Sequence, residues 1–302
     1  MTPELVWFKR DLRVADHSPL VAAARHGPVV CLYLYEDELI AAEDFSRRHL
    51  LFINDSLANL DASLRELGTR LLIRRGEAVA VLRELQAQTG FTRIRVHQET
   101  TNGVSYARDR NVLAWARDAE VEVIEYRQQG VVRRLASRDG WGGQWQAFAQ
   151  SPLVPAPRHV ADGSAGLAGE GIHAPETWGL ADDGLDGRQR QPGGEAAGQR
   201  ALKSFLKARS TDYLTGLSSP LTAWEACSRL SPYLAYGNIS LRTVYQHATA
   251  RRRDLQRQRG PKDGWVEALS AYLERLAWHC HFIQKLEDEP RIEFENMNPA
   301  FD

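Results

Sequence analysis

Residues 6–20 read VWFKRDLRVADHSPL, where an apolar run passes into a charged turn and then into a helical pattern. The run Leu5-Val6-Trp7-Phe8 has the composition of a buried strand, and the turn after it carries Lys9, Arg10, Asp11 and Arg13. In an open α/β sheet, ligands gather at the carboxyl ends of the strands, which makes this turn a candidate binding edge. From the residues alone, a solvated turn with local ion pairs is the favoured interpretation.

Four further apolar runs follow, at residues 29–35, 71–73, 94–97 and 121–124. Between them, residues 45–67 and 78–85 form helical patterns, with apolar residues at helical spacing in the first. Buried strands that alternate with helices predict an α/β domain with a doubly wound parallel sheet, which we assign to residues 1–132. The chain contains neither G-x-G-x-x-G nor G-x-x-x-x-G-K-[ST], so a dinucleotide held by a glycine-rich loop is not expected here.

Residues 133–200 are predicted to link two domains. Within them, residues 158–199 are rich in Gly, Asp and Ala and contain few large apolar side chains, so they cannot bury enough surface to offset ordering entropy. From residue 201 to residue 302 the pattern is helical. For example, Leu202, Phe205 and Leu206 follow the spacing i, i+3, i+4.

The composition is that of an ordinary globular protein, with 43% hydrophobic residues, 25% charged residues and a formal net charge of -1. A DNA-binding face must therefore be local. Cys31, Cys227 and Cys280 are far apart and form no C-x-x-C pair, so neither a metal site nor a disulfide framework is indicated. The charged N-terminus and the lack of a long apolar run predict a soluble, cytoplasmic protein without membrane association.

Residues 227–240 combine hydroxyl side chains with a helix-start signal. Ser228 and Ser231 offer hydroxyl donors, and Ser231-Pro232 indicates the beginning of a helix. The free N–H groups of a helix N-terminus suit a phosphate. Plain helix capping, with Arg229 paired to a nearby acid, explains the same residues and is slightly favoured on physical grounds alone.

Two later stretches carry cations or histidines. The run RRRDLQRQR at residues 251–259 could contact phosphates, but a solvated helix end is the more common role of such a run. His279 and His281 are two positions apart on a predicted helix and point to different faces, which argues against a metal pair.

Two elements resemble the photolyase/cryptochrome family: the opening Trp7-Phe8-Lys9-Arg10-Asp11-Leu12-Arg13, and Cys227-Ser228-Arg229-Leu230-Ser231-Pro232-Tyr233-Leu234. The resemblance covers the whole chain. It implies an α/β antenna domain followed by an incomplete all-α domain, the N-terminal part of an FAD-binding domain. The flavin contacts that it implies are Tyr213, Cys227, Ser228, Arg229, Leu230, Ser231 and Tyr272. Cys227 stands where the family usually has Thr, so a backbone contact is expected there.

The stretch YLERLAWHCHF at residues 272–282 resembles the family helix that passes between the flavin and the DNA lesion. Aligned on Trp278, it implies that Arg275, Trp278 and His279 face the DNA. Arg275 stands where dimer-repairing members carry a Glu, and His279 replaces an Arg. No catalytic residue is assigned.

The resemblance implies a photolyase-like flavoprotein, a carbon–carbon lyase of the deoxyribodipyrimidine photo-lyase type. Such an enzyme repairs pyrimidine lesions in DNA by light-driven electron transfer from FAD to a flipped-out base. A cryptochrome-like blue-light photoreceptor without repair activity is the alternative, and an inactive truncated α/β domain is a third interpretation. The lesion type and the oligomeric state stay open.

The family pattern continues beyond Phe301-Asp302 with the ring-side flavin contacts. We therefore expect weak or absent FAD binding by this chain alone, and a further helical segment or a partner chain that completes the pocket. The antenna chromophore is unknown. Val104 and Ser105 stand where folate-binding members carry an acid, so tight folate binding is not expected and a flavin-type antenna stays open.

Overall fold

The computed structural model describes residues 2–182, 184, 190–260 and 264–301, which fall into two compact units. The first unit lies within Met1–Tyr126, Val154–Ala197 and Tyr236–Asn238, and the second within Arg127–Leu153, Gly198–Ala235 and Ile239–Asp302. The predicted domain boundaries at residues 132 and 200 stay a prediction. Part of the predicted linker, residues 183 and 185–189, lies outside the described residues.

A five-stranded parallel sheet forms the centre of the first unit. Its strands are β1 (Glu4–Phe8), β2 (Val29–Tyr35), β3 (Leu71–Arg75), β4 (Arg93–His97) and β5 (Glu122–Tyr126). Their order is β3-β2-β1-β4-β5, so the winding reverses between β1 and β4. Each predicted apolar run overlaps one strand, which confirms the α/β fold with a parallel sheet.

Helices surround this sheet because its apolar faces must be covered. They are α1 (Ser18–Ala24), α2 (Asp37–Ile40), α3 (Arg47–Glu66), α4 (Ala78–Thr89) and α5 (Gly103–Asp118). Every residue of β1 and β2 is buried, and residues of β1, β2, α4 and α5 share one hydrophobic core. The predicted helix at residues 78–85 is present and extends to Thr89, where Gly90 ends it in the left-handed conformation with φ 68°.

The described part of the second unit is helical, as the sequence predicted. Its longer helices are α6 (Trp141–Gln150), α7 (Glu195–Lys207), α11 (Leu241–Arg257) and α12 (Trp265–Asp288), and α7 begins within the first unit. The short helices between them are α8 (Tyr213–Gly216), α9 (Pro220–Ala226) and α10 (Ser231–Ala235). Single 3-10 turns occur in this unit at Arg209–Asp212, Pro290–Glu293 and Pro299–Phe301, and in the first unit at Pro175–Trp178. Helix α12 packs against α11 and α8. Because α8 comes directly before α9 in the chain, α12 supports the segment that leads into α9.

The predicted linker contains two ordered anchors. Trp141 and Trp145 of α6 are buried in the second unit, although the sequence analysis assigned residues 133–200 to a linker and predicted no helix there. In the first unit, Trp178 packs on Tyr35 and donates a hydrogen bond of 2.6 Å to Asp37. Among the described helices, none is both long and apolar enough to span a bilayer.

Candidate functional site

The carboxyl ends of β1 and β4 hold a buried network of charges in the first unit. Arg108 of α5 donates to Glu36 and Glu99, each at 2.5 Å, and to Asp109 at 2.9 Å. Lys9 donates to Asp109 at 2.9 Å. Burial by itself raises the pKa of Glu99, but Arg108 and Lys9 bring that pKa down to about 2. The favoured interpretation of a solvated turn is therefore wrong, because helices cover the carboxyl ends of these strands and take the charges out of water.

A cavity of about 450 Å³ opens beside this network. Glu36 and Arg108 line it together with Val104 and Asn111. Burial raises the pKa of Glu36 to about 7, and the nearby Arg108 only partly opposes that rise. The first unit thus offers a concave site with a fixed cation and a carboxyl group that titrates near neutral pH.

Asp11 lies at the point where the sheet order reverses and holds two buried histidines. Its Oδ2 accepts hydrogen bonds from His17 Nε2 at 2.8 Å and from His97 Nδ1 at 2.7 Å. Its Oδ1 accepts the Lys9 backbone N–H at 2.7 Å. The Leu20 N–H donates to His17 Nδ1, so the proton of a neutral His17 sits on Nε2.

These three side chains also form a group with metal-ligand geometry, with ligand atoms within 4.8 Å of one another. A metal at His17 Nε2 needs the lone pair that the proton occupies. The three side chains are therefore better suited to a hydrogen-bonded cluster that joins β1, β4 and the start of α1 than to a metal site. Burial lowers the pKa of His97 to about 3 against the opposing hydrogen bond to Asp11, and burial also lowers the pKa of His17.

The predicted flavin element lies in the second unit, between α9 and α11. Ser231 is the first residue of α10 and is exposed, and Pro232 is the second residue. Leu230 is buried, while Cys227 and Ser228 are half-buried. The Ser228 hydroxyl accepts the Leu230 N–H at 3.3 Å. The element is therefore a partly open turn that leads into a short helix.

Arg229 adopts an uncommon backbone conformation within this turn, with φ 58°. Its side chain pairs with Glu225 at 3.1 Å, donates to the Trp224 carbonyl and lies 4.2 Å from the centroid of the Trp224 ring. These contacts are the ones that the helix-capping interpretation predicted. The side chain of Arg229 is thus used locally, and its backbone shapes the turn.

Arg209 holds the turn from the side and was not recognised in the sequence. Its guanidinium donates to the carbonyl oxygens of Ala201 at 2.9 Å, of Ser228 at 3.3 Å and of Cys227. Burial raises the pKa of the Cys227 thiol, whereas Arg275 and Arg209 lower it. Both cations therefore create positive potential at the turn. A single Arg that follows a helix belongs to no recognisable sequence motif, so these contacts could not be predicted from the sequence.

Tyr213 and Tyr272 meet beside the turn and form an aromatic wall with Phe205. The ring centroids are 5.5 Å apart for the two tyrosines and 4.6 Å apart for Phe205 and Tyr272. Burial raises the pKa of Tyr213 to about 12. The Tyr272 hydroxyl is buried, and its contact with the Ser228 side chain lies outside normal hydrogen-bond geometry. The structure thus brings together four of the predicted contacts, Tyr213, Cys227, Ser228 and Tyr272.

The predicted DNA-facing residues lie farther along α12. Arg275 is exposed, and its guanidinium carbon is 5.6 Å from the centroid of the Trp278 ring, which is itself 57% exposed. His279 is half-buried, and burial lowers its pKa. Phe282, one turn beyond Trp278, is also exposed. This face of α12 therefore presents a cation and two large aromatic rings to solvent in the described structure.

Comparison with known proteins gives a consistent result. A family model described as DNA photolyase matches residues 4–149. The deoxyribodipyrimidine photo-lyase of Streptomyces griseus is 31% identical over 318 residues, a match that covers 100% of this chain and 64% of that protein. Cryptochrome-1 of Arabidopsis thaliana is 27% identical over 255 residues, which covers 80% of this chain and 37% of that protein. The chain thus spans less than two thirds of these relatives.

The fold also matches solved structures. A bacterial class III photolyase from Agrobacterium tumefaciens superposes with a TM-score of 0.79 at 24% identity, over 100% of this chain and 62% of that one. A Synechocystis cryptochrome gives a TM-score of 0.79 at 22% identity, over 95% of this chain and 62% of that one. At these identities the structures establish the shared fold. Together with the family model and the sequence relatives, they support the photolyase/cryptochrome family for this chain.

Proposed function

We propose that the chain is part of a photolyase-type flavoprotein that repairs pyrimidine lesions in DNA by light-driven electron transfer. The observation that carries the proposal is the convergence of Tyr213, Tyr272 and the turn at Cys227-Ser228 in the second unit. These residues come from three separate segments, and nothing about ordinary helix packing requires a half-buried polar turn beside two tyrosines.

The residues around the turn fit a ligand that combines phosphates with an aromatic ring system, as FAD does. The Tyr272 hydroxyl is an unpaired buried polar atom, which a polar ligand atom could satisfy. Arg209 and Arg275 supply positive potential at Cys227. The rings of Tyr213 and Tyr272 supply apolar surface.

In this proposal the residues of the chain bind and orient the cofactor. Ser228 and Ser231 donate their hydroxyl hydrogens to phosphate oxygens, and the backbone N–H group of Ser231 contributes a further donor. Arg209 keeps the turn in place through the carbonyl oxygens of Cys227 and Ser228. Bound FAD in its reduced form supplies the electron on illumination.

Arg275, Trp278 and His279 are proposed to face the DNA. Trp278 offers an exposed ring for stacking with a flipped base, and Arg275 offers a cation for a phosphate or a base oxygen. An arginine donates hydrogen bonds and cannot accept them. It therefore recognises carbonyl or phosphate oxygens on the lesion, and not the ring N–H groups that a carboxylate recognises.

The proposal assigns neither the identity of the antenna chromophore nor the cell compartment. The cavity of about 450 Å³ in the first unit, lined by Glu36 and Arg108, is large enough for a chromophore. An archaeal photolyase from Sulfolobus tokodaii, which shares the fold at 20% identity and a TM-score of 0.72, was solved with two FAD molecules. The cytoplasmic location remains a prediction, as does a further helical segment or partner chain.

The test begins with FAD binding. We expect the 302-residue chain to bind FAD only in the micromolar range or more weakly, because Ser231 is exposed to water and Cys227 and Ser228 are only half-buried. Fluorescence quenching of FAD measures this affinity. The expected result includes further weakening by Ser228→Ala, with Ser63→Ala in helix α3 of the first unit as the control. No FAD binding at millimolar protein would contradict the proposed site.

Repair is measured separately. UV-damaged oligonucleotide is illuminated with blue or near-UV light in the presence of the chain and reduced FAD, and restored pyrimidines are counted by chromatography. Light-dependent repair above a dark control supports the photolyase assignment. FAD binding without repair of any pyrimidine lesion supports the second candidate, a cryptochrome-like photoreceptor. The observation that favours this second candidate is the cation Arg275 at a position where dimer-repairing members carry a carboxylate.

A further inference from the structure

A basic groove in the second unit is not used by the proposed function. It runs between α7 and α11, has a volume of about 760 Å³ and is open to solvent. Its wall on α7 consists of Arg200, Lys203 and Lys207, spaced i, i+3 and i+7 on one face of the helix. The three side chains are exposed, and none forms an ion pair within the described part of the chain.

The opposite wall on α11 carries one cation, Arg251, which is held in place by two contacts. Arg251 donates to the Leu206 carbonyl at 3.1 Å and lies 4.5 Å from the centroid of the Trp265 ring. His247, one turn earlier, is exposed on the same wall. Asp254 is the single acid among the residues that line the described groove. A chain with a formal net charge of -1 thus concentrates positive charge at this groove.

The floor of the groove is apolar. Leu202 is buried, Leu206 is half-buried and the methyl group of Ala250 is exposed between the two walls. A site that binds only phosphates does not require an apolar floor, because phosphate contacts come from cations and backbone N–H groups. Sites for single-stranded nucleic acid add aromatic stacking platforms. His247 is the one aromatic side chain among the described lining residues of this groove, and no Phe, Tyr or Trp lines it to form a stacking platform.

We propose that this groove binds an acidic amphipathic helix of a partner protein. An amphipathic helix lays its apolar face into a groove, here the strip formed by Leu206 and Ala250, and presents carboxylates to the cationic wall on α7. Charge complementarity with Arg200, Lys203 and Lys207 fixes its register and speeds its association. Helix α7 spans 13 residues, about 20 Å, which matches three to four turns of a bound helix.

The probe is a fluorescein-labelled helical peptide of roughly 15 residues, with Leu at i, i+3, i+4 and i+7 and Glu on the flanking positions. Binding to the full chain is measured by fluorescence anisotropy. A peptide of the same composition with the Leu stripe scrambled, and a labelled DNA duplex of equal charge, are the two comparison ligands. We expect the amphipathic peptide to bind at least about tenfold more tightly than the scrambled peptide.

Two groove variants and one matched control separate the contributions. Lys203→Glu/Lys207→Glu reverses charge on the α7 wall and is expected to weaken peptide binding by about tenfold or more. Ala250→Phe fills the floor without changing charge and is expected to have a similar effect. The control, Arg253→Glu/Arg257→Glu, reverses two exposed cations on α11 that do not line the groove, and it should change binding less than about threefold.

Three outcomes would overturn the proposal. The first is equal binding of the scrambled peptide, and the second is an equal loss in the control variant, since both indicate unspecific attraction of charge. The third is tighter binding of the duplex that Lys203→Glu/Lys207→Glu abolishes and Ala250→Phe leaves intact, which would make the groove a phosphate-binding surface. Circular dichroism of each variant verifies that a loss of binding is not a loss of folding.

Discussion

The rings of Tyr213 and Tyr272 meet edge to face in the second unit, with their centroids 5.5 Å apart. Tyr213 begins a single short helical turn, whereas Tyr272 lies in the first part of the 24-residue helix α12. The contact therefore ties a short, weakly held segment to the longest helix of the unit. It also places both rings beside Cys227, whose half-buried turn is the centre of the proposed cofactor site.

Removal of the Tyr272 hydroxyl tests whether that group is kept for a ligand. Because the hydroxyl is buried with only a poorly formed contact to Ser228, Tyr272→Phe is expected to raise the free energy of unfolding by about 0.5 kcal/mol. The same change is expected to weaken FAD binding by about fivefold. Urea unfolding and FAD titration measure the two effects. Tyr245→Phe, whose ring stacks on Trp145, is the control, and a destabilised Tyr272→Phe protein would contradict the prediction.

Arg209 is expected to stabilise the turn at Cys227-Ser228 through its planar guanidinium. Lysine cannot reach three carbonyl oxygens in the same geometry, so Arg209→Lys should lower the free energy of unfolding by about 2 kcal/mol. Thermal unfolding monitored by circular dichroism provides the measurement. Lys207→Ala, an exposed cation two residues earlier, should change stability by less than about 0.5 kcal/mol. Equal effects of the two changes would show that the carbonyl contacts contribute little.

The charge network around Arg108 is expected to be far more sensitive than a surface ion pair. Arg108→Met leaves Glu36 buried without its cation and removes the shortest ion pair of Glu99, which keeps Lys9 and Arg10, and it should cost about 3 kcal/mol. The comparison is Arg65→Met, which breaks an exposed pair with Asp61 and should cost less than about 1 kcal/mol. Urea denaturation at neutral pH distinguishes the two values, and a loss below about 1 kcal/mol in Arg108→Met would refute the assignment of a tightly packed network.

Acid should destabilise the first unit through the histidines that Asp11 holds. Burial lowers the pKa of His97 to about 3, so the unfolded chain binds more protons than the folded one between about pH 6.5 and pH 3. Stability is therefore complete above about pH 6.5 and is lost as the pH falls, by about 2 kcal/mol at pH 5 for His97 alone. His17, whose pKa is also lowered, adds to the loss. Glu36 acts in the opposite direction, since its raised pKa favours folding at lower pH.

The variant His97→Asn tests this pH dependence directly. Its amide N–H can replace the donor at Nδ1 toward Asp11, but it does not titrate. The free energy of unfolding, measured in urea from pH 7.5 to pH 4.5, should fall less steeply in the variant than in the natural chain. Identical slopes would mean that His97 does not titrate on unfolding in this range, and the prediction would then be wrong.

Local pattern was sufficient for the architecture. The run at residues 29–35 forms a strand because an uninterrupted apolar stretch of this length is stable only when helices cover both faces of a parallel sheet. The element Cys227–Ser231 was recognised because residue types at short spacing also determine a helix start. The contribution of Trp141 and Trp145 to a buried helix was missed, since their neighbours in the sequence are mostly small or polar.

What the sequence by itself determined about this protein is the order of strands and helices, the family that it resembles and the short elements whose chemistry lies within a few residues. What only the tertiary structure decided is which distant groups meet: Asp11 with His97, Arg108 with Glu36, and Arg209 with the carbonyl oxygens of Cys227 and Ser228. The physical reason is that buried apolar residues recur along the sequence with the period of a strand or of a helix, so they can be identified without the structure. The partner of a buried charge depends instead on which strand ends and helices the fold brings together, and one sequence shows no spacing that records it.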